Sequence, residues 1–357
     1  MVCPPLSTPL SPALLHIGRL AARASMTPHP SLEAAYAQIK APALKPASHT
    51  YLSNKRARPS PWRLNLEGIW DFQFVDCPEA APEDWHLPDS DSSGQNRTSK
   101  PIWREINVPG VWTRQNVGDT PHYTNIVMPF IGLDPPDTPK NNPTGLYRRV
   151  FTPPPVWAGR NIILHLGGFE SLALVWCNGE FVGMGKDSRL PSEFDLTPHL
   201  QDGANTLTIM VLKWSDAIWI EDQDHWFHGG LHRSVYLEAR AVTHIADICA
   251  KAGYQAESKT GTLELTLDIA GPSEGFQVKT ALKDKNGALV FDLPAKAVRQ
   301  FPKHADKTEQ MQAAYRFDGY QAHWAESALP VQPWSAESAK LYILEIELLD
   351  ADGQVVE

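Results

Sequence analysis

Leu172-Ala173-Leu174-Val175-Trp176-Cys177-Asn178-Gly179-Glu180-Phe181-Val182-Gly183-Met184 reads as a β-hairpin. Leu172–Trp176 is a short apolar run of β type. Asn178-Gly179 supplies the two-residue turn, because both residues tolerate positive φ, and Glu180–Met184 carries the chain back. Upstream, Ile162-Ile163-Leu164-His165-Leu166 is a second such run. Downstream, Leu207, Ile209 and Val211 alternate with Thr206, Thr208 and Met210, which puts one set on a core face and the other outward or against a second layer. From Trp62 onward the pattern stays strand-like, 31 prolines and 23 glycines fall at loop-like positions, and no long helical period occurs. The fold class predicted is all-β, built from antiparallel sandwiches.

The strand Ser234–Glu238 closes the first block, and a boundary falls near Ala241–His244. Residues 56–241 form one expected domain and residues 242–357 a second, smaller one. In the second, Leu263, Leu265, Leu267 and Ile269 alternate with Glu264, Thr266 and Asp268, and Leu344, Ile346 and Leu348 with Glu345 and Glu347. Lys285-Asn286-Gly287 marks a hairpin turn. Roughly 110 residues of short alternating strands is the size of an immunoglobulin-type domain. Val298–Ala313, rich in Lys, Gln and His, reads as a long exposed loop.

Residues 1–55 read as a largely unstructured segment with room for a short helix at Leu32–Lys40. Arg19 and Arg23 with no acidic residue before Glu33 give it a transit-peptide composition, but Pro4, Pro5, Pro9 and Pro12 break an amphipathic helix. Met26 is an alternative start, and the expected location is cytoplasmic. Acidic residues outnumber basic ones, 41 to 32, for a net charge of −9. That balance argues against nucleic acid or an anionic membrane as partner, and no run approaches the ~18 apolar residues of a span. Cys3, Cys77, Cys177 and Cys249 are scattered without a CxxC pair, so reduced thiols are the simplest expectation. Asn96-Arg97-Thr98 matches a glycosylation sequon, a triplet common by chance. Twelve tryptophans suit buried cores first and sugar-stacking platforms second.

Several runs, in order, resemble the N-terminal part of the large β-galactosidases of glycoside hydrolase family 2. They begin with Leu66-Glu67-Gly68-Ile69-Trp70-Asp71-Phe72 and Val108-Pro109-Gly110-Val111-Trp112. Pro121-His122-Tyr123-Thr124-Asn125, Asn142-Pro143-Thr144-Gly145-Leu146-Tyr147 and Asp187-Ser188-Arg189-Leu190-Pro191-Ser192-Glu193-Phe194-Asp195-Leu196 follow. Lys213-Trp214-Ser215-Asp216, Glu221-Asp222-Gln223-Asp224-His225-Trp226 and Pro333-Trp334-Ser335-Ala336-Glu337 complete the set. The resemblance implies a jelly-roll (galactose-binding-like) sugar-binding domain, then an immunoglobulin-like domain, then a TIM barrel.

Such a barrel takes about 250 residues of alternating strands and helices, and none follows the second sandwich before Glu357. The catalytic carboxylates of a retaining glycosidase sit ~5 Å apart across the glycosidic bond, and in this family both lie on the barrel. The resemblance therefore implies no catalytic residue in this chain and no activity when it stands alone. Magnesium and sodium are implied for the complete enzyme, as is any homo-oligomer.

Two positions carry over from the resemblance as substrate-binding. Asn125 resembles the asparagine that reaches the active site, where an amide donates to and accepts from sugar hydroxyls. Asp216 resembles the aspartate that accepts from galactose hydroxyls and helps hold sodium, a hard cation that suits a carboxylate oxygen. As plain residues, Asn125 suits a turn and Asp216 suits loop N–H groups; the surrounding motifs favour the sugar-facing roles.

His225, His228 and His232 invite a metal reading, but Gly229-Gly230 breaks any helical register and they read as ordinary loop histidines. Glu221, Asp222 and Asp224 read as orienting their loop. Arg189 and Glu193 are expected to pair across Pro191. Ala217-Ile218-Trp219 after Asp216 is a bulky departure from the family pattern, expected to alter the pocket wall, and Lys186 is a departure expected at the surface. The partner expected is a β-galactoside of the lactose type, with a non-catalytic carbohydrate-binding or scaffold protein as the alternative and glucuronides or mannosides ranked last.

Overall fold

The computed structural model describes residues 3, 14, 16–40, 60–88, 102–125, 130–221, 223–300 and 319–357. The chain divides into two compact units, one built mainly on 63–239 and the other on 23–42, 58–62 and 240–357. The sequon at Asn96 and residues 301–313 of the expected loop lie outside the described residues.

The first unit is a sandwich of two antiparallel sheets. Its larger sheet has seven strands: β1 (His16–Ile17), β3 (Gly68–Val75), β4 (Arg104–Val108), β6 (Thr144–Phe151), β9 (Leu172–Cys177), β10 (Glu180–Lys186) and β12 (Asn205–Leu212), in the order β1-β10-β9-β12-β6-β3-β4. The second has β2 (Arg63–Asn65), β7 (Asn161–Leu166), β11 (Ser192–Asp195) and β15 (Val235–Arg240), in the order β11-β7-β15-β2. Asn178 and Gly179 take φ of 52° and 83°, and β9 and β10 pair from Cys177↔Glu180 onward, as the hairpin reading expects.

Strand β12 is buried on both faces, because the seven-stranded sheet is covered twice. Leu174, Trp176, Met184, Met210 and Leu212 pack in one cluster with Trp85. The rings of Trp85 and Trp176 meet edge to face at 5.3 Å.

The N-terminal segment departs from the unstructured reading. His16 and Ile17 pair with Gly185 and Met184 on β10, and Arg19 donates from Nη1 to the Lys186 carbonyl (3.2 Å) and from Nη2 to that of Pro191 (3.0 Å). A Cβ on Gly183 would collide with the Ile17 carbonyl, so glycine there admits the added strand. A two-residue strand held through backbone groups leaves no periodicity to read.

The helix expected at Leu32–Lys40 is present, α1, and belongs to the second unit. That unit pairs a sheet of β16 (His244–Gln255), β17 (Thr260–Ala270), β20 (Arg299–Gln300) and β21 (Tyr320–Leu329) with one of β18 (Gln277–Asp284), β19 (Leu289–Ala297) and β22 (Tyr342–Leu349). Along β17, Leu263, Leu265, Leu267 and Ile269 are buried and the intervening residues are not, which is the strict period of two. They enclose Trp324, whose indole N–H donates to the Pro294 carbonyl at 2.9 Å. The loop expected from Val298 starts later: Val298 is buried, and Arg299 and Gln300 pair with Gln321 and Tyr320.

Candidate functional site

β10 ends at Lys186, β9 begins at Leu172 and β12 ends at Leu212, and these three residues lie side by side across the sheet. The chain leaving β12 runs straight into Lys213-Trp214-Ser215-Asp216. Asn142 holds that run as a surrogate strand. Its Nδ2 donates to the Trp214 carbonyl at 2.8 Å and its Oδ1 accepts the Trp214 N–H at 2.9 Å. Lys213 is buried, with Nζ on Asp119 Oδ2 (2.8 Å) and the Thr120 carbonyl (2.9 Å). Ser215 accepts from Ser171 Oγ at 2.9 Å.

Asp216 therefore emerges at the head of a short 3-10 turn, Asp216–Trp219, directly beside the end of β10. There Lys186 meets it, Nζ to Oδ1 at 2.7 Å, with side chains only 6% and 9% exposed. The expectation of a surface Lys186 is corrected: it is one of the most buried charged groups in the unit. The contact is ionic and lies off the alignment of a directed N–H···O bond. The bulky Ile218 points into the core with Phe130, Trp214 and Phe227, and Trp219 stacks on Phe130 at 4.8 Å.

Asn125 follows β5 (His122–Tyr123), which pairs with β13 (Trp226–Phe227). Its amide donates both ways, to Asp224 Oδ1 at 2.8 Å and to the Tyr123 hydroxyl at 3.2 Å. Tyr123 Oη in turn donates to Asp224 at 2.5 Å, and that carboxylate holds the phenol above its ordinary pKa. The two acceptors lie 2.5 Å from each other on the Nδ2 side of the amide, and the Asn125 carbonyl oxygen accepts from no described group. The Trp226 indole, half exposed, stacks on the Tyr123 ring at 5.1 Å and 17°. In the sequence Trp226 stands only as the end of the Glu221–Trp226 run, and no local pattern marks its ring as exposed.

The two motif runs approach each other through their aromatics: the His122 ring meets Trp214 edge-on at 5.5 Å.

Beneath them lies Glu170, buried and ending β8 (Phe169–Glu170). Its Oε2 accepts the N–H groups of His228 (2.6 Å) and Gly229 (3.0 Å), and its Oε1 accepts Arg189 Nη2 at 3.1 Å. Burial pushes this carboxyl up, but the two backbone donors and the guanidinium outweigh it and hold it below the usual carboxylate range. Arg189 thus pairs with Glu170 and not with Glu193, which meets His165 at 3.0 Å. Glu193 lies on β11, paired residue for residue with β7 and opposite His165, so the strand register decides its partner.

The other loop residues tie the frame together. Glu221 accepts from Ser188 N (3.1 Å) and Oγ (2.5 Å). Asp187, at φ 93°, folds its own carboxylate onto the N–H groups of Arg189 and Leu190. His225 bonds the Gln223 carbonyl through Nδ1 at 2.6 Å, leaving Nε2 to accept from Arg189. His228 meets Thr113 Oγ1 at 2.7 Å. Each of these histidines is engaged with protein, and Asp222 lies outside the described residues.

A resident sodium ion does not fit Asp216 in this arrangement. The Lys186 ammonium already stands against Oδ1, so a metal cation there would meet a like charge in a poorly solvated place. Among the described residues no group of three or more His, Cys, Asp or Glu is placed to hold a metal ion.

His232 gives the frame a pH dependence. Its Nε2 donates to the Ser188 carbonyl at 3.0 Å. Burial, reinforced by Arg189 and Arg233, lowers its pKa from 6.5 to about 4. Burial beside Arg240 does the same to His244 in the second unit. The folded chain therefore refuses protons that the unfolded chain takes up near pH 6.5. Stability is complete above that pH and is lost as pH falls toward 4, by about 3 kcal/mol per histidine. Melting temperature should be flat from pH 7 to 8 and fall between 6.5 and 4; His232→Gln should flatten the slope of the first unit, and an unchanged slope would refute the assignment.

Residues 64–240 match the family model described as glycosyl hydrolases family 2, sugar binding domain, and residues 243–357 match that of glycosyl hydrolases family 2. A β-galactosidase of Priestia megaterium is 32% identical over 351 residues, 97% of this chain and 30% of the relative. One of Aeromonas hydrophila is 37% identical over 307 residues, 84% of this chain and 28% of the relative. The chain thus spans about 30% of the length of these curated relatives. Among solved structures, a β-glucuronidase of Bifidobacterium dentium aligns with a TM-score of 0.59 at 20% identity, covering 84% of this chain and 48% of that one. A β-glycosidase from Bacteroides vulgatus aligns at 0.55 and 20%, covering 82% and 32%. At such identities the likeness is one of fold.

Proposed function

The chain belongs to family 2 of the glycosyl hydrolases, and from that premise we propose that it forms the sugar-positioning part of a β-galactosidase. Asn125 and Asp216 hold hydroxyls of a terminal galactosyl residue, and Trp226 offers a flat apolar wall to one face of the sugar ring. The paired carboxylates for hydrolysis with retention, and the magnesium beside them, come from protein beyond these two units.

The observation that carries this reading is the approach of the two motif runs at one end of one sandwich, His122 against Trp214. Asn125 closes the first run, two residues beyond the β5 ladder, and Asp216 closes the second. A carboxylate, an amide carbonyl and an exposed indole are the three kinds of group that recognise a sugar: acceptors for its hydroxyls and a face for its C–H groups.

The test is hydrolysis of a chromogenic β-galactoside by the chain alone and mixed with a barrel-bearing fragment of a family relative. Expected is no turnover alone and recovery on mixing, abolished by Asn125→Ala. Turnover by the chain alone would overturn the reading, since it would require catalytic carboxylates inside these units. Galactose binding without recovery on mixing would favour a non-catalytic carbohydrate-binding protein.

A further inference from the structure

A carboxylate that is to accept sugar hydroxyls must stay ionised and stay still. Asp216 is almost buried, so both requirements call for a positive charge at its side. Three strand termini supply one. Lys186 is the last residue of β10, register-paired with Leu172 of β9, which is itself paired with Leu212 of β12, four residues before Asp216. Lys186 lies two residues beyond the fully buried Met184, on the same face of the strand. Its stem is packed where an apolar side chain would be, and its ammonium reaches Asp216 Oδ1 at 2.7 Å.

The backbone at Lys186 is fixed as well, because its carbonyl accepts from Arg19 Nη1 at 3.2 Å. The following residue, Asp187, is locked into its turn by its own carboxylate. The ammonium is therefore anchored at both ends, in contrast to a surface lysine that finds an acid by chance.

We propose that Lys186 is the built-in counter-ion of Asp216, and that this chain presents its sugar-facing carboxylate without an alkali metal. The role of a bound cation, to neutralise the aspartate and fix its direction, is taken by a covalently attached ammonium. One oxygen faces the ammonium, and Asp216 Oδ2 accepts from no described group and is left for a hydroxyl. The proposal rests on the reading of Asp216 as sugar-facing, and makes Lys186 a positioning residue.

Thermal unfolding of the 357-residue chain in NaCl and in choline chloride, at the same ionic strength of about 0.15 M, tests it. The wild-type chain should melt at one temperature in both salts and should leave the sodium NMR line unbroadened. Lys186→Met strands a buried carboxylate and should lower melting by about 6 °C or more. The double variant Lys186→Met/Asp216→Asn should lose clearly less than the sum of the two single changes, because no bare charge is left behind. A sodium-specific rise in wild-type melting, or line broadening that Asp216→Asn abolishes, would show that Asp216 holds sodium and overturn the proposal. Wild-type melting of Lys186→Met would overturn it too. Should that variant fail to fold, the wild-type salt comparison and line width still decide. A chain that served a different glycoside would fail the galactoside test above and still pass this one.

Discussion

Glu170→Ala is expected to lower the melting temperature of the chain by about 10 °C, and to expose Arg189 to rapid tryptic cleavage. The carboxylate is 3% exposed and satisfies three donors at once: the N–H groups of His228 and Gly229 and the Arg189 guanidinium. Truncation leaves two backbone donors and one arginine without their acceptor. Breaking a buried ionic contact by removing one partner costs about 3–5 kcal/mol, and at roughly 2–4 °C per kcal/mol for a unit of this size the shift is large. Glu170→Gln keeps the volume and one acceptor oxygen, and should lose about half as much. If Glu170→Ala melted with the wild type, the frame under the site would have to be held by something else.

The frame beneath Glu170 also marks the limit of sequence reading. The hairpin at Asn178-Gly179 and the alternation of Leu263, Leu265, Leu267 and Ile269 are written in neighbouring residues, so turn chemistry and a period of two suffice to find them. Asn125 and Asp216 stand out in the sequence only because whole runs around them resemble a family, and what the fold shows is that those runs approach each other.

Glu170 carries no such mark. Its donors come from His228 and Gly229, 58 and 59 residues away, and no local pattern points at them. Lys186 is the instructive miss. A lysine beside Asp187 reads as surface, yet every residue of β10 from Phe181 to Lys186 is buried, because the sheet is covered on both faces and leaves the strand's last residue no outward side. The missed pairing of Arg189 has the same root: Glu193 was matched by proximity in sequence, but on β11 its register sets it beside His165.

Gly229→Ala, a change of one methyl group, should be among the most damaging single substitutions in the first unit, and Gly118→Ala should be mild. Both glycines sit in the left-handed region, at φ 78° and 104°, where any other residue costs about 1–2 kcal/mol. A Cβ on Gly118 would meet nothing within 4 Å, so that cost is the whole effect. A Cβ on Gly229 would drive into the Trp112 ring, and Trp112 has nowhere to retreat. Its far edge faces Gly145, where a Cβ would lie only 2.7 Å from Cζ3. The indole N–H is fixed to Asp119 Oδ2 at 2.7 Å, and that same oxygen holds Lys213. Overpacking of about 1–3 kcal/mol is therefore added to the backbone cost. The displaced loop also pulls the Gly229 N–H off Glu170, worth about 1.5–3 kcal/mol more for a bond to a charged acceptor. The sum, roughly 4–8 kcal/mol, approaches the whole stability of an ordinary domain. Gly229→Ala should accumulate as insoluble protein while Gly118→Ala melts within a few degrees of wild type; equal melting of the two would mean that Trp112 yields, and that the site does not depend on its being held.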